Sequence, residues 1–345
     1  MSQPNNSNKN TNIYPERRRK REQEQTEITL SSKPSEKMAS DERKDGNPNK
    51  KRQAVLSMNA GQLTTKRGLV NPQASDDPRR APLKDIAVET ISLLPGLLAT
   101  RPDVSTEGRL CNAADVLDTK YCPGLRPIKV RVISSDTIDA ALDLIRSPYG
   151  KPCILNMANA TSAGGGFKHG ALAQEEALCY RTSLYRTLKI KHYPMGDREG
   201  IYSPDVMVIR ESMKNGHGLV DLREPKHLAV ISAVSVAAVC QPSISSTVSG
   251  MKKYSNDADR RLMTEKIRLM LRMTIRHKHT QVVLGAFGCG AFGNPREEVA
   301  NMFAKVLLET EFQGGWWDDV VFAVLDDGRG PNFKVFHAAL DGLVV

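Results

Sequence analysis

The sequence predicts an α/β fold: a mixed sheet flanked by helices, with an N-terminal helical extension and a disordered basic tail. Three observations carry this prediction. Short apolar runs of strand length alternate with longer stretches of helical period. Two of the strand-like runs lead at once into glycine-rich loops followed by helical patterns. The first 80 residues differ in kind from the rest, with one aromatic, Tyr14, among Asn, Ser, Gln, Lys, Arg and Glu.

The tail comes first in the chain. Its composition cannot bury enough apolar surface to offset the entropy of ordering it, so residues 1–79 are expected to be disordered. Residues 1–80 hold 17 Lys and Arg against 10 Asp and Glu, which supplies +7 of the formal charge of +10. The basic balance therefore describes a tail and not a nucleic-acid-binding fold. Arg17 to Arg21 and Lys50 to Arg52 form clusters that fit nuclear import, nucleic-acid contact or plain solvation.

The globular part is expected over 80–345 as one domain. Pro82 opens a helix with Leu83, Ile86, Ala87, Ile91, Leu94 and Leu97 on one stripe, disturbed near Pro95-Gly96. Ile128 to Ile133 reads as a strand, and Ser135 or Asp136 caps a helix from Thr137 to Arg146. Cys153 to Met157 is a buried strand, followed by a helix over Gln174 to Lys189. Further strands are expected at Val206 to Arg210, Leu228 to Val239, Gln281 to Phe287 and Val320 to Leu325. Helices are expected over Asp257 to His277 and Pro295 to Leu308. There is no internal repeat.

Several classes are excluded early. At 345 residues and 40% hydrophobic, the chain can build a substantial core. No run reaches the roughly 18 apolar residues of a spanning helix, and Met1 to Asn12 is not a signal peptide. Six scattered cysteines without a C-x-x-C pair suggest reduced thiols in the nucleus or cytoplasm. The seven histidines do not fall at metal-ligand spacings, so no metal and no cofactor is expected.

The chemistry concentrates in two loops. The first runs from Asn156 through Asn159 to Gly164-Gly165-Gly166, where three glycines allow backbone N–H groups to approach a ligand. The second is Gly288-Cys289-Gly290-Ala291-Phe292-Gly293, a literal G-x-G-x-x-G followed by Asn294 as expected N-cap and Pro295 as first helical residue. A helix N-terminus there favours a diphosphate. A full dinucleotide-binding domain does not fit, because the acidic pair Asp326-Asp327 falls too far downstream and only one strand follows. Neither loop continues into Gly-Lys-Ser/Thr, which excludes a P-loop. Beside the first loop stand Gln174-Glu175-Glu176. Adjacent carboxyls on one helical turn raise each other's pKa, and a protonated Glu suits a glycosidic leaving group. Taken alone, the pair also fits simple complementation of the helix dipole.

In context, Gly164-Gly165-Gly166-x7-Gln174-Glu175-Glu176 resembles the signature of poly(ADP-ribose) glycohydrolases, most closely the microbial-type branch. The similarity extends over Ile86 to Leu98, Ile133 to Ala141, Leu155 to Leu184, Tyr202 to Val206, Gly285 to Val299 and Phe322 to Phe333. It covers 80–345 and departs at Met157, Ala163 and Phe287, where the family usually carries Phe, Pro and Trp. The resemblance implies a macrodomain-like fold and hydrolysis of the ribose–ribose bond. It makes Glu176 the catalytic acid, with Glu175 on ribose hydroxyls and Asn159 on the distal ribose. Gly164, Gly165, Gly166 and Gln174 complete the first subsite. Gly288, Cys289, Gly290, Ala291 and Gly293 would cradle the diphosphate, with Phe292 against the distal ribose. Asp136 would lie toward the adenine unless it is simply a cap, and Phe333 would cover the adenine unless it packs in the core. The partners implied are poly(ADP-ribose) or ADP-ribosylated proteins, no membrane, and a monomeric enzyme. Two other readings stay open, a hydrolase of mono-ADP-ribose on protein or nucleic acid and a non-catalytic ADP-ribose reader. An oxidoreductase resting on G-x-G-x-x-G is a third and weaker one.

Overall fold

The computed structural model describes residues 77–345 apart from 113–114, 146–149, 327 and 329. The basic clusters and nearly all of the tail expected over 1–79 lie outside the described residues.

A seven-stranded sheet organises the described chain, in the order β1-β4-β5-β3-β8-β9-β2. These strands are β1 (Arg109–Asn112), β2 (Arg131–Ile133), β3 (Cys153–Met157), β4 (Glu199–Met207), β5 (Val230–Val236), β8 (Gln281–Leu284) and β9 (Asp319–Ala323). A separate hairpin is made of β6 (Ile244–Ser246) and β7 (Lys252–Tyr254). Strands β5, β3, β8, β9 and β2 run parallel, and β4 and β1 add antiparallel at one edge. The expected mixed sheet flanked by helices is therefore present.

Side chains along the central strands divide between the two faces with period two. Cys153 and Leu155 of β3, Val282 and Leu284 of β8, and Val320 and Phe322 of β9 enter one core. Ile154, Val283, Val321 and Ala323 enter the other. The first core is closed by α5 (Asp257–Arg276), α6 (Arg296–Leu307) and α7 (Asn332–Leu340). The second is closed by α1 (Arg80–Ala99), α2 (Thr137–Ile145) and α3 (Gln174–Arg181). Trp316 and Trp317 are buried in the first core as their apolar bulk suggests.

Several boundaries differ from expectation. Helix α1 continues through Pro95 to Ala99, because Leu94, Leu97 and Leu98 pack with Val104, Met207, Ile209 and Leu228. That burial outweighs the one backbone bond proline removes. The helix expected over Gln174 to Lys189 stops at Arg181 and resumes as α4 (Leu184–Thr187). Thr182 is extended and bridges to Val208, and the Arg181 carbonyl accepts from Ile209 and Arg210, so tertiary pairing claims the backbone a continuous helix would use. The strand expected at Val206 to Arg210 begins earlier, at Glu199, with an irregularity between Ser203 and Val206 where Pro204 lacks an N–H. Strand β1, the β6–β7 hairpin and α7 are additional elements.

All five parallel strands point their C-terminal ends to one edge. The loops after β3 and β8 leave side by side there, since these strands are hydrogen-bonded neighbours. That edge, where loops from adjacent parallel strands converge, is where α/β sheets bind ligands.

Candidate active site

The first glycine loop is shaped by two carboxylates. Glu175 and Glu176 open α3 and are both buried, at 3% and 7% exposure. The Asn159 N–H donates to Glu175 Oε2 (2.7 Å) and Asn156 Nδ2 to Glu175 Oε1 (3.3 Å). Asn156 Nδ2 also donates to Ser235 Oγ (3.0 Å), its cross-strand neighbour on β5. The Gly166 N–H donates to Glu176 Oε1 (2.8 Å), while Glu176 Oε2 is buried with no hydrogen-bond partner. A buried acceptor left open is costly and marks a place where a ligand donor would fit.

Glycine is required here for two reasons. Gly164 and Gly165 have φ of +73° and +56°, the left-handed region. A Cβ on Gly165 would also collide with Glu176 Oε1 and lie 3.1 Å from Glu175 Oε2. Both carboxyls thus crowd one point of the loop backbone. Burial pushes Glu175 up to about 8, against the opposing pull of its bonds from Asn159 and Asn156. It therefore holds a proton at neutral pH.

Gln174 takes a bracing position. Its Oε1 accepts from the Met157 N–H (2.9 Å), and its Nε2 donates to the Leu155 carbonyl (2.7 Å) and Thr137 Oγ1 (3.3 Å). It ties the start of α3 to the end of β3, which sets both glutamates. Asn159 Oδ1 closes a turn by accepting from the Thr161 and Ser162 N–H groups (2.8 and 3.0 Å). No described group pairs with its Nδ2, which leaves a donor for a sugar hydroxyl.

The second loop is built differently. Asn294, expected as a helix cap, is buried and braces the loop instead. Its Nδ2 donates to the Val239 and Gly288 carbonyls (2.8 and 3.0 Å), and its Oδ1 accepts from the Tyr254 hydroxyl (2.7 Å). With Asn294 so engaged, Pro295 becomes the capping residue and α6 starts at Arg296. Gly288 has φ +71°, and a Cβ there would meet Asn294 Nδ2 at 2.5 Å and Ala238 Cβ at 2.6 Å. Cys289 is buried, and burial pushes its thiol far above the ordinary range. Gly290 and Gly293 border open space. The N–H groups of Gly290, Ala291 and Phe292 have no hydrogen-bond acceptor among the described residues. Consecutive free N–H groups ahead of a helix N-terminus suit an anion. Phe292 is half-buried on the first core.

Asp136 caps α2 through the Ile138 and Asp139 N–H groups (2.7 and 3.2 Å) and pairs with the buried Arg181. It stands at the same edge, after β2, which keeps it within the loop cluster while giving it a structural role. Phe333 lies on α7 and packs against the first core. His169 is exposed at the end of the first loop. His277 stacks on Tyr202, and His279 Nε2 lies 2.9 Å from the Tyr202 hydroxyl. Burial lowers both imidazoles to about 4. Among the described residues there is no group of three or more His, Cys, Asp and Glu placed to hold a metal ion. No described helix is long and apolar enough to cross a membrane. The sequence reading missed the Asn156–Ser235 pair and the Tyr254–Asn294 brace. Polar residues within otherwise apolar strands were the available signal for the first.

Residues 123–211 match the family model for the microbial-type PARG catalytic domain, a span that holds the first loop and both glutamates. Over that span the chain is similar to the microbial-type PARG catalytic domain. The poly(ADP-ribose) glycohydrolase of Thermomonospora curvata is 26% identical, with a TM-score of 0.59 over 76% of this chain and all of that one. A second structure of it, bound to the inhibitor ADP-HPD, matches over 75% and 99% of the two chains at the same identity and TM-score. The Deinococcus radiodurans enzyme in complex with ADP-ribose is 27% identical, with a TM-score of 0.55 over 71% of this chain and 97% of its own. Among curated protein sequences there is no match.

Proposed function

We propose that this PARG-type protein is a glycosidic-bond hydrolase that releases ADP-ribose from poly(ADP-ribose). The domain over 80–345 would hold the whole site, on a macrodomain-like sheet. The observation that carries the reading is the carboxyl pair. Glu176 keeps one buried oxygen open, and Glu175 beside it retains a proton at neutral pH. In this reading the diphosphate lies on the free N–H groups of Gly290 to Phe292, and Asn159 Nδ2 and Glu175 hold ribose hydroxyls. Glu176 protonates the departing ribose oxygen as the C1–O bond breaks toward an oxocarbenium-like state. The resulting carboxylate then takes a proton from water as it adds to the anomeric carbon.

The substrate experiment compares poly(ADP-ribose) with mono-ADP-ribosylated protein, with released nucleotides resolved by chromatography. Free ADP-ribose from the polymer supports the proposal. Release from the mono-modified protein alone would move the assignment to a terminal-unit hydrolase, and binding without release would make it a reader. We further place the protein, as a monomer, in the nucleus or cytoplasm. A fluorescent fusion lacking Arg17 to Arg21 tests import, and unchanged nuclear entry would remove those residues from the account.

A further inference from the structure

The hairpin β6–β7 leaves the sheet after β5, at the same edge as both glycine loops, and it is tied to the second of them. The Gln241 N–H at its root donates to the Phe292 carbonyl (2.9 Å). Tyr254 at its other end donates to Asn294 Oδ1, and its own N–H donates to Glu298 Oε2 on α6 (2.7 Å). The tip is internally bonded, with the Thr247 N–H donating to the Met251 carbonyl (2.8 Å) and the Met251 N–H to Thr247 Oγ1 (3.0 Å). The hairpin is thus an ordered arm fixed to the diphosphate loop.

Its chemistry is one-sided. From residue 241 to residue 255 the only charged side chains are Lys252 and Lys253. Both are exposed, and neither has an ion-pair partner among the described residues. Val248 is fully exposed and Met251 about half. An arm that offers cations and aliphatic surface without acids complements an extended polyanion with purine rings. Alternation along a strand puts Lys252 on the face of Tyr254, which is turned to the diphosphate loop, and Lys253 on the opposite face.

We propose that the Lys252 face of this hairpin binds the neighbouring ADP-ribose unit, the one on the far side of the scissile bond. The inference rests on the glycohydrolase reading, in which Phe292 lies against the distal ribose, and the Gln241 N–H at the root of the hairpin donates to the Phe292 carbonyl. A chain continuing from that ribose would pass the arm, with a phosphate within reach of the Lys252 ammonium and the adenine against Val248 or Met251.

The test uses the full chain as wild type, Lys252→Glu, Lys252→Ala and Lys253→Glu, each checked by thermal melting. Lys252→Glu is expected to raise KM for polymer about fivefold to tenfold, and Lys252→Ala less. ADP-ribose affinity, and KM for mono-ADP-ribosylated protein, should stay within about twofold because neither offers a second unit. Lys253→Glu should shift the polymer KM by less than about twofold. An unchanged polymer KM in Lys252→Glu, or equal shifts in Lys252→Glu and Lys253→Glu, would overturn the proposal. A wild type inactive on polymer would instead defeat the glycohydrolase reading. The same ranking measured as polymer binding would then decide the hairpin.

Discussion

The two glycine loops use the same residue type for opposite purposes. In the first, glycine is needed because the site is full: Gly165 has no room for a Cβ beside the two carboxyls. In the second, Gly290 and Gly293 border empty space, and only Gly288, at the root, is packed tight. The first loop packs against two buried carboxyls of the protein itself, whereas the second leaves its backbone accessible to something from outside. A glycine-rich sequence alone does not distinguish these cases. The neighbours of each missing Cβ do.

Alanine at each loop sharpens this contrast. Gly165→Ala combines left-handed backbone with a collision against Glu176. It should cost about 1–3 kcal/mol of stability and, by displacing a carboxyl, on the order of 100-fold in rate. Thermal melting and polymer hydrolysis would check both, and a near-normal variant would mean the carboxyls are free to move. Gly290→Ala has room, so stability should change by less than about 0.5 kcal/mol. ADP-ribose affinity should nevertheless fall about tenfold by calorimetry, and unchanged affinity would dissociate this loop from the diphosphate.

The brace behind the second loop predicts a purely structural loss. Tyr254→Phe leaves Asn294 Oδ1 buried and unpaired, which should cost about 1–3 kcal/mol in denaturant unfolding with little change in kcat.

The carboxyl pair also predicts a pH dependence. Glu175 titrates at about 8 in the folded protein against 4.5 for an unperturbed Glu. Below 4.5 both folded and unfolded chains hold the proton. Between there and 8 only the folded chain does, so its stability falls as pH rises through that window. Melting temperature should decline from pH 5 to pH 8 more steeply in wild type than in Glu175→Gln. Parallel curves would show that Glu175 ionises normally.

Much of this was legible in the sequence. Cys153 to Met157 stands as predicted, a short and mostly apolar run whose first four residues are buried. The glycines and Gln174-Glu175-Glu176 lie close together in sequence, and the structure brings the loop and both carboxyls into contact. What escaped depends on contacts distant in sequence. Asn156 meets Ser235 only because β3 and β5 pair in that register. Asn294 looks like a helix cap locally, yet Tyr254 and Val239, both far upstream, claim its side chain. The break after Arg181 likewise comes from Val208 and Ile209, not from any helix-ending residue near it.

In the proposed mechanism Glu176 acts on the reaction and not on binding. Glu176→Gln preserves the shape of the side chain and its acceptor for the Gly166 N–H while removing the acid. Turnover of poly(ADP-ribose) and affinity for ADP-ribose should be measured side by side on this variant. The expected result is a rate loss of about two orders of magnitude or more with affinity retained. Equal loss of rate and binding, or a rate close to wild type, would contradict it.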